Sequence, residues 1–315
     1  MSVNPVMRRE LVERWRGRRA IITLTVFLVV LGLLLYGLYW LGRATLAPQF
    51  GFGFIDSGAA GPMLGRFLLE GMLFFVLLLV LFVAPGYAAA QLVGERERGT
   101  LPLLQVTLLR PWQIVVGKLG ASVAWLALLL FAALPLGAIA FFLGGIALGD
   151  LLRGIGMILG VVVCVAAMGL GISSLVRRTV AAVVLTYALV FTLVAGTGFA
   201  ALVGIAAQST QVTAAPRTPF VLYANPLFGL ADAVRADASV FGLPSPLRLF
   251  AGVLPSVDAV QIGPLPLAGG GVAFDTVVVG PGGAEQRPGR ALVWLRVLGV
   301  HAALGALGLA VATRR

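Results

Sequence analysis

The sequence predicts an all-α integral membrane protein with six transmembrane helices, an N-terminal amphipathic interfacial helix and a long extracytoplasmic loop before the last helix. Three observations carry this. First, the 315 residues are 60% hydrophobic and only 11% charged, against roughly 25% charged in ordinary soluble domains. Second, runs free of Asp, Glu, Lys and Arg cover 20–42, 71–94, 119–149, 154–176 and 179–216, and a sixth, 291–313, contains only Arg296. Each exceeds the roughly 20 residues that cross a hydrocarbon core of about 30 Å. Lipid offers no hydrogen-bond partner to an exposed backbone, so such runs must be helices. Third, the basic residues cluster between alternate runs, as they do in multi-pass proteins.

Taken in order, residues 4–18 form the interfacial helix. Asn4 is a candidate N-cap, Pro5 suits the first helical position, and Val3, Met7, Leu11 and Trp15 recur every fourth residue among Arg and Glu. That pattern lays Trp15 into the acyl boundary and sets Arg8 and Arg9 among lipid phosphates. Membrane lipid is thus the first expected partner. Mixed charge followed by a long apolar run, without a small-residue cleavage pattern, argues against a cleavable signal peptide.

Transmembrane helices are expected at 20–41, 67–86, 119–144, 154–176, 180–206 and 291–313, all within one domain spanning 1–315. Pro85 is expected to close or kink the second of them. A cytoplasmic N-terminus places fourteen Lys and Arg on inner segments and leaves Arg43, Arg66 and Arg153 on short outer loops. Both termini are therefore expected in the cytoplasm, with the protein in the cell membrane. The net charge of +11 follows from this topology pattern and does not imply nucleic acid. Cys164 is the only cysteine, so no disulfide forms within the chain.

Between the second and third helices lies an inner loop, 87–118, with an unusual composition. Glu95, Arg96, Glu97 and Arg98 are followed by Gly99, which permits a sharp turn, and Thr100, a candidate cap for a short apolar helix. Arg110-Pro111-Trp112 then opens a helix that passes Lys118. Arginine alone would set topology, whereas alternating glutamates do not serve it. A charged knuckle before an apolar helix reads as a docking device.

The outer loop, 207–290, holds ten of the seventeen prolines and eleven glycines, which excludes one long helix. Asn225-Pro226 and the following LFGLADAVRA predict a short capped helix with Leu227, Leu230 and Val234 on one side, set on the outer membrane face. Residues 277–279 are a candidate strand. Glu70, at the start of the second run, is expected to snorkel to the outer interface, with a role in a transport pathway as the alternative. His301, the only histidine, is expected to be a satisfied buried donor, with proton relay along a pathway as the alternative. Ser173, Ser174, Thr186, Thr192 and Thr197 can return hydrogen bonds to their helices or bridge neighbours. Gly156 with Gly160, and Gly169 with Gly171, suit close helix packing.

The order NPVMRREL, then ERERGTLPLL, then LLRPWQIVVGKL leading into a membrane helix resembles the membrane subunit of ABC-2 type ATP-binding-cassette transporters. Pro102 departs from the acidic or polar residue usual there. The resemblance implies an exporter permease that works as a dimer, with a copy of itself or a paralogue, over separate cytoplasmic ATPases. It also implies that Glu95, Arg96, Glu97, Arg98, Gly99, Thr100 and Lys118 belong to the element that meets the ATPase. No G-x-x-x-x-G-K-[ST] occurs, and Gly117-Lys118 lacks the glycine-rich run that cradles phosphate. This chain therefore is not expected to bind a cofactor or catalyse; ATP and Mg belong to the partner. Two rivals remain. A secondary transporter lacks support from paired intramembrane carboxylates or inverted repeats. A rhomboid-like protease would need Ser173 and His301 within hydrogen-bond reach.

Overall fold

The computed structural model describes residues 5–15, 17–50, 60–100, 110–144, 146–209, 220–234, 265–266, 272–273 and 293–314. Its helices are α1 (Pro5–Trp15), α2 (Arg18–Phe50), α3 (Ala60–Glu97), α4 (Pro111–Leu143), α5 (Leu148–Leu175), α6 (Thr179–Phe191), α7 (Thr197–Ser209), α8 (Pro226–Ala233) and α9 (Val293–Arg314). A π-helical turn, Thr192–Gly196, joins α6 to α7 into one continuous span. Six spans are long and apolar enough to cross a membrane, and the fold is all-α. One two-residue antiparallel pairing, Leu265–Pro266 with Val272–Ala273, is the strand structure among the described residues. The Asn4 cap, the short helix at 101–109, the strand at 277–279 and the Trp15 side chain lie outside the described residues.

Which helices face lipid follows from burial. Two thirds of the most apolar windows of α3 and α5 are buried (67%), against 17–33% in the other four spans. The core therefore runs along α3 and α5, with Leu73, Val76, Leu77 and Val80 of α3 packed with Met157, Ile158, Val161 and Val162 of α5. By contrast α2 turns Ile21, Val26, Val29, Leu33 and Trp40 outward, as a lipid-bathed helix should. The bundle has two ends. The terminal end carries α1, the α3–α4 turn, the α5–α6 turn and the end of α9; the loop end carries the segments around 60–66, 143–150 and 220–234.

The helix boundaries differ from the sequence expectation in one consequential way. The α3 helix does not stop near Pro85 but runs through it to Glu97, so the first third of the expected inner loop is helical. Proline removes one backbone donor and crowds the preceding turn. Here Tyr187 of α6 donates its hydroxyl to the Phe82 carbonyl at 2.7 Å, tying the turn before Pro85 to α6. The α4 helix begins at Pro111, where Arg110-Pro111-Trp112 predicts a start, and runs past Lys118 to Leu143 without a break. The Gln113 side chain accepts from the Arg110 N–H at 2.9 Å, and Gln113 N–H donates to the Arg110 carbonyl at 2.9 Å.

Small residues set the α5–α9 crossing. A Cβ added at Gly171 would lie 2.6 Å from the Cα of Gly308, so only glycine admits this approach. Gly169 similarly packs on Ala88, and Gly160 on Leu298, whereas Gly156 faces open space. The hydroxyls divide as well. Ser174, Thr186, Thr192 and Thr197 donate to carbonyls of their own helices. Ser173 instead reaches across to α3, where its Oγ accepts from the N–H groups of Leu92 and Val93 at 3.1 and 3.0 Å.

Candidate functional site

At the terminal end, α3 stops in a defined turn. Gly99 takes φ +66°, which costs glycine nothing and other residues a steric clash. Its N–H donates to the Arg96 carbonyl at 3.2 Å and the Thr100 N–H to the Glu95 carbonyl at 3.0 Å, a pairing that satisfies the last carbonyls of the helix. The Thr100 hydroxyl donates to the same Glu95 carbonyl at 3.2 Å. Thr100 therefore finishes α3; the helix it was expected to start falls in 101–109, outside the described residues.

The charges before this turn are tied to the other helices. Lys118 of α4 is buried, and its Nζ donates to Glu95 Oε1 at 2.6 Å and Glu10 Oε1 at 2.7 Å. One ammonium thus joins α1, α3 and α4. Arg96 donates to the carbonyls of Val176 and Ser174 at 3.1 and 3.5 Å, at the α5 C-terminus where a cation is favoured. Glu97 accepts from the Thr179 N–H at 2.8 Å and its hydroxyl at 2.6 Å, so it caps the start of α6 and suits the positive end of that helix. Arg98, Gly99, Thr100, Arg110, Pro111 and Trp112 remain exposed around the turn.

The interfacial helix meets the bundle at the same place. The Met7 side chain sits against Gly120 of α4, Val6 is buried, and Arg8 and Arg9 are exposed. Part of the apolar stripe assigned to lipid is therefore covered by α4, with Glu10 turned inward to Lys118.

The loop end holds a second polar cluster. Glu70 is 1% exposed and accepts from Arg66 Nε at 3.1 Å. The expectation that it snorkels is thus overturned: its partner lies one turn away, inside the bundle. Arg66 also donates to Asp150 Oδ2 at 3.4 Å and the Val234 carbonyl at 3.0 Å. Arg153 pairs with Asp150 and donates to the Ala233 carbonyl at 3.0 Å. Two cations and two carboxylates so balance, and both arginines cap the carbonyl end of α8.

This cluster explains the position of α8. Its Asn225 cap forms as the sequence predicts, with Oδ1 accepting from Leu227 N–H at 2.9 Å. The Asn225 Nδ2 donates to the Val194 carbonyl in the π turn at 3.0 Å, where the widened backbone leaves an acceptor to be met. However, α8 does not lie on the membrane face. Leu227, Phe228, Leu230, Ala231 and Val234 are all buried, and it is wedged against α5 and α9. Asp232 accepts from the Trp294 N–H at 3.0 Å and caps α9. The i,i+4 spacing of Arg66 and Glu70 was a legible signal for part of this cluster; the link to Asp150 and α8 had none.

His301 is fully buried, with Nδ1 2.8 Å from the Val297 carbonyl, while Nε2 has no partner among the described residues. The expected satisfied donor holds for one ring nitrogen only. Ser173 lies nearer the terminal end: Gly308, which faces Gly171, is already a rise of roughly 10 Å beyond His301 along α9. The two residues are thus not a nucleophile and its base.

The family whose model matches the chain is described as ABC-2 family transporter protein, and the match covers residues 67–241, more than half of the sequence. Among curated proteins no match was found.

Proposed function

The chain belongs to the ABC-2 family of transporter proteins, a multi-pass membrane permease, and on that premise we propose that it is the membrane subunit of an exporter driven by a separate cytoplasmic ATPase. In this reading the terminal end is cytoplasmic, the exporter sits in the cell membrane, and two permease subunits, identical or paralogous, enclose the pathway. ATP and Mg are bound by the ATPase, so this chain itself is not an enzyme. Glu70 and His301, the candidate pathway residues, are buried within one bundle, so a part in the pathway requires the helices around them to separate during transport.

The observation that carries the proposal is the knuckle at Gly99. Its exposed residues offer a docking surface, while Glu95, Arg96 and Glu97 next to it connect α3 to α1, α4, α5 and α6. A force applied at Arg98, Gly99 and Thr100 is delivered to five helices at once, which is what coupling to an ATPase requires. Glu95, Arg96, Glu97 and Lys118 transmit in this scheme. Arg98 and Trp112 are positioned to contact the partner.

The test is affinity purification of tagged protein from its native membrane in mild detergent, with mass spectrometry and ATP hydrolysis of the eluate. Recovery of a soluble Walker-type ATPase, lost in Arg98→Glu/Trp112→Ala while the permease still elutes as a folded species, supports the proposal. Reproducible isolation without an ATPase refutes it and favours a secondary transporter.

A further inference from the structure

A cavity of about 260 Å3 opens on the flank of the bundle between α2, α3 and α4. Gly32, Tyr36 and Tyr39 of α2 face Leu68 and Met72 of α3 and Ile139 of α4 across it. Tyr36 and Ile139 are both more than half exposed, so the groove opens sideways to the lipid phase. Pockets that enclose drug-sized molecules measure roughly 300–1,000 Å3, and a smaller, mostly apolar groove suits a single narrow chain.

One turn beyond Tyr39 stands Arg43. Its guanidinium lies 5.8 Å from the Tyr39 ring and 6.0 Å from the Trp40 ring, and it donates to the Tyr39 hydroxyl at 3.4 Å. No carboxylate pairs with it among the described residues. Arginine with Tyr and Trp at the end of a membrane helix is the composition of the headgroup layer. The eleven-residue step from Gly32 to Arg43 rises roughly 16 Å along the helix. That is about half of a hydrocarbon core of about 30 Å, the depth of one leaflet.

We propose that this groove holds one acyl chain of an anionic phospholipid whose phosphate rests on Arg43. The exposed arginine supplies charge complementarity at headgroup level, and the groove beneath it reaches toward the bilayer midplane. The glycine at position 32 leaves its floor open: a Cβ there meets nothing within 4 Å. The inference concerns a bound lipid and does not depend on the transport reading.

The experiment uses the full chain in nanodiscs containing phosphatidylglycerol with a mid-chain diazirine, followed by photolysis and peptide mass spectrometry. Labels are expected on peptides containing Tyr36 and Ile139. Gly32→Phe fills the open floor and removes them; Ile139→Trp, at the exposed wall, is a second blocking variant should the first not fold. Arg43→Gln lowers phosphatidylglycerol labelling about fivefold, the factor one basic residue contributes at an anionic surface, and leaves labelling by a phosphatidylcholine analogue unchanged. Undiminished labelling in folded blocking variants means annular lipid only and overturns the proposal. So does equal labelling by the two lipids in the unaltered protein, or a Tyr36→Cys disulfide between copies, which would put a second subunit in the groove.

Discussion

Replacing Lys118 with methionine should destabilise the protein by about 3–5 kcal/mol, the range for removing one partner of a buried ion pair. The structure gives the reason. The Lys118 side chain is 1% exposed and holds Glu10 and Glu95, 16% and 22% exposed, at 2.7 and 2.6 Å. With an effective dielectric of about 20, unit charges at that separation attract by roughly 6 kcal/mol per pair, and desolvation offsets much of it. Methionine keeps the apolar stem yet leaves two carboxylates facing each other without a cation. Unfolding by SDS titration in mixed micelles, followed by tryptophan fluorescence, measures the loss. A double-mutant cycle with Glu95→Gln should show the two changes to be non-additive by roughly 1–3 kcal/mol. Exposed Arg98→Gln should stay within about 0.5 kcal/mol of the unaltered protein. A loss below about 1 kcal/mol for Lys118→Met, or additivity with Glu95→Gln, would refute the clamp at the terminal end.

Three further outcomes follow from the same contacts. Gly171→Ala drives a methyl into the Gly308 backbone and should cost at least about 1–3 kcal/mol in the same titration, while Gly156→Ala, facing open space, should be tolerated. Ser173→Ala removes the acceptor shared by Leu92 and Val93; it should cost about 1–3 kcal/mol, clearly more than Ser174→Ala, whose hydroxyl only returns to its own helix. Asn225→Ala breaks both the α8 cap and the tie to the π turn; a loss of about 0.5–2 kcal/mol for the cap alone should appear with faster proteolysis around 220–234.

The two clusters differ in how much of them was legible. At the terminal end the knuckle itself stood out, because alternating Glu and Arg before a glycine is a local pattern. Its attachments were not visible: Glu95 finds Lys118 across 23 residues and Glu97 finds Thr179 across 82. At the loop end Glu70 departs from the local pattern for the same reason. An intramembrane glutamate close to a helix end looks like a snorkelling group until Arg66, Asp150, Arg153 and α8 are brought together around it. The two carbonyls that Arg66 and Arg153 engage lie 168 and 80 residues away, beyond any helical spacing rule.

By itself the sequence determined that this protein crosses the membrane six times as helices, since each charge-free run must meet its backbone hydrogen bonds within its own turns. It also determined the turn at Gly99, the Asn225 cap and the start of α4, all set by neighbours a few residues apart. The tertiary structure alone decided that α3 and α5 form the core, that α8 wedges inward, and that Gly171 rather than Gly156 is a contact. In a chain this apolar nearly every helix face suits lipid equally well, so periodicity cannot rank them. The choice rests on side chains meeting across the bundle: small residues that let backbones touch, and buried charges that must find an opposite charge or a helix end.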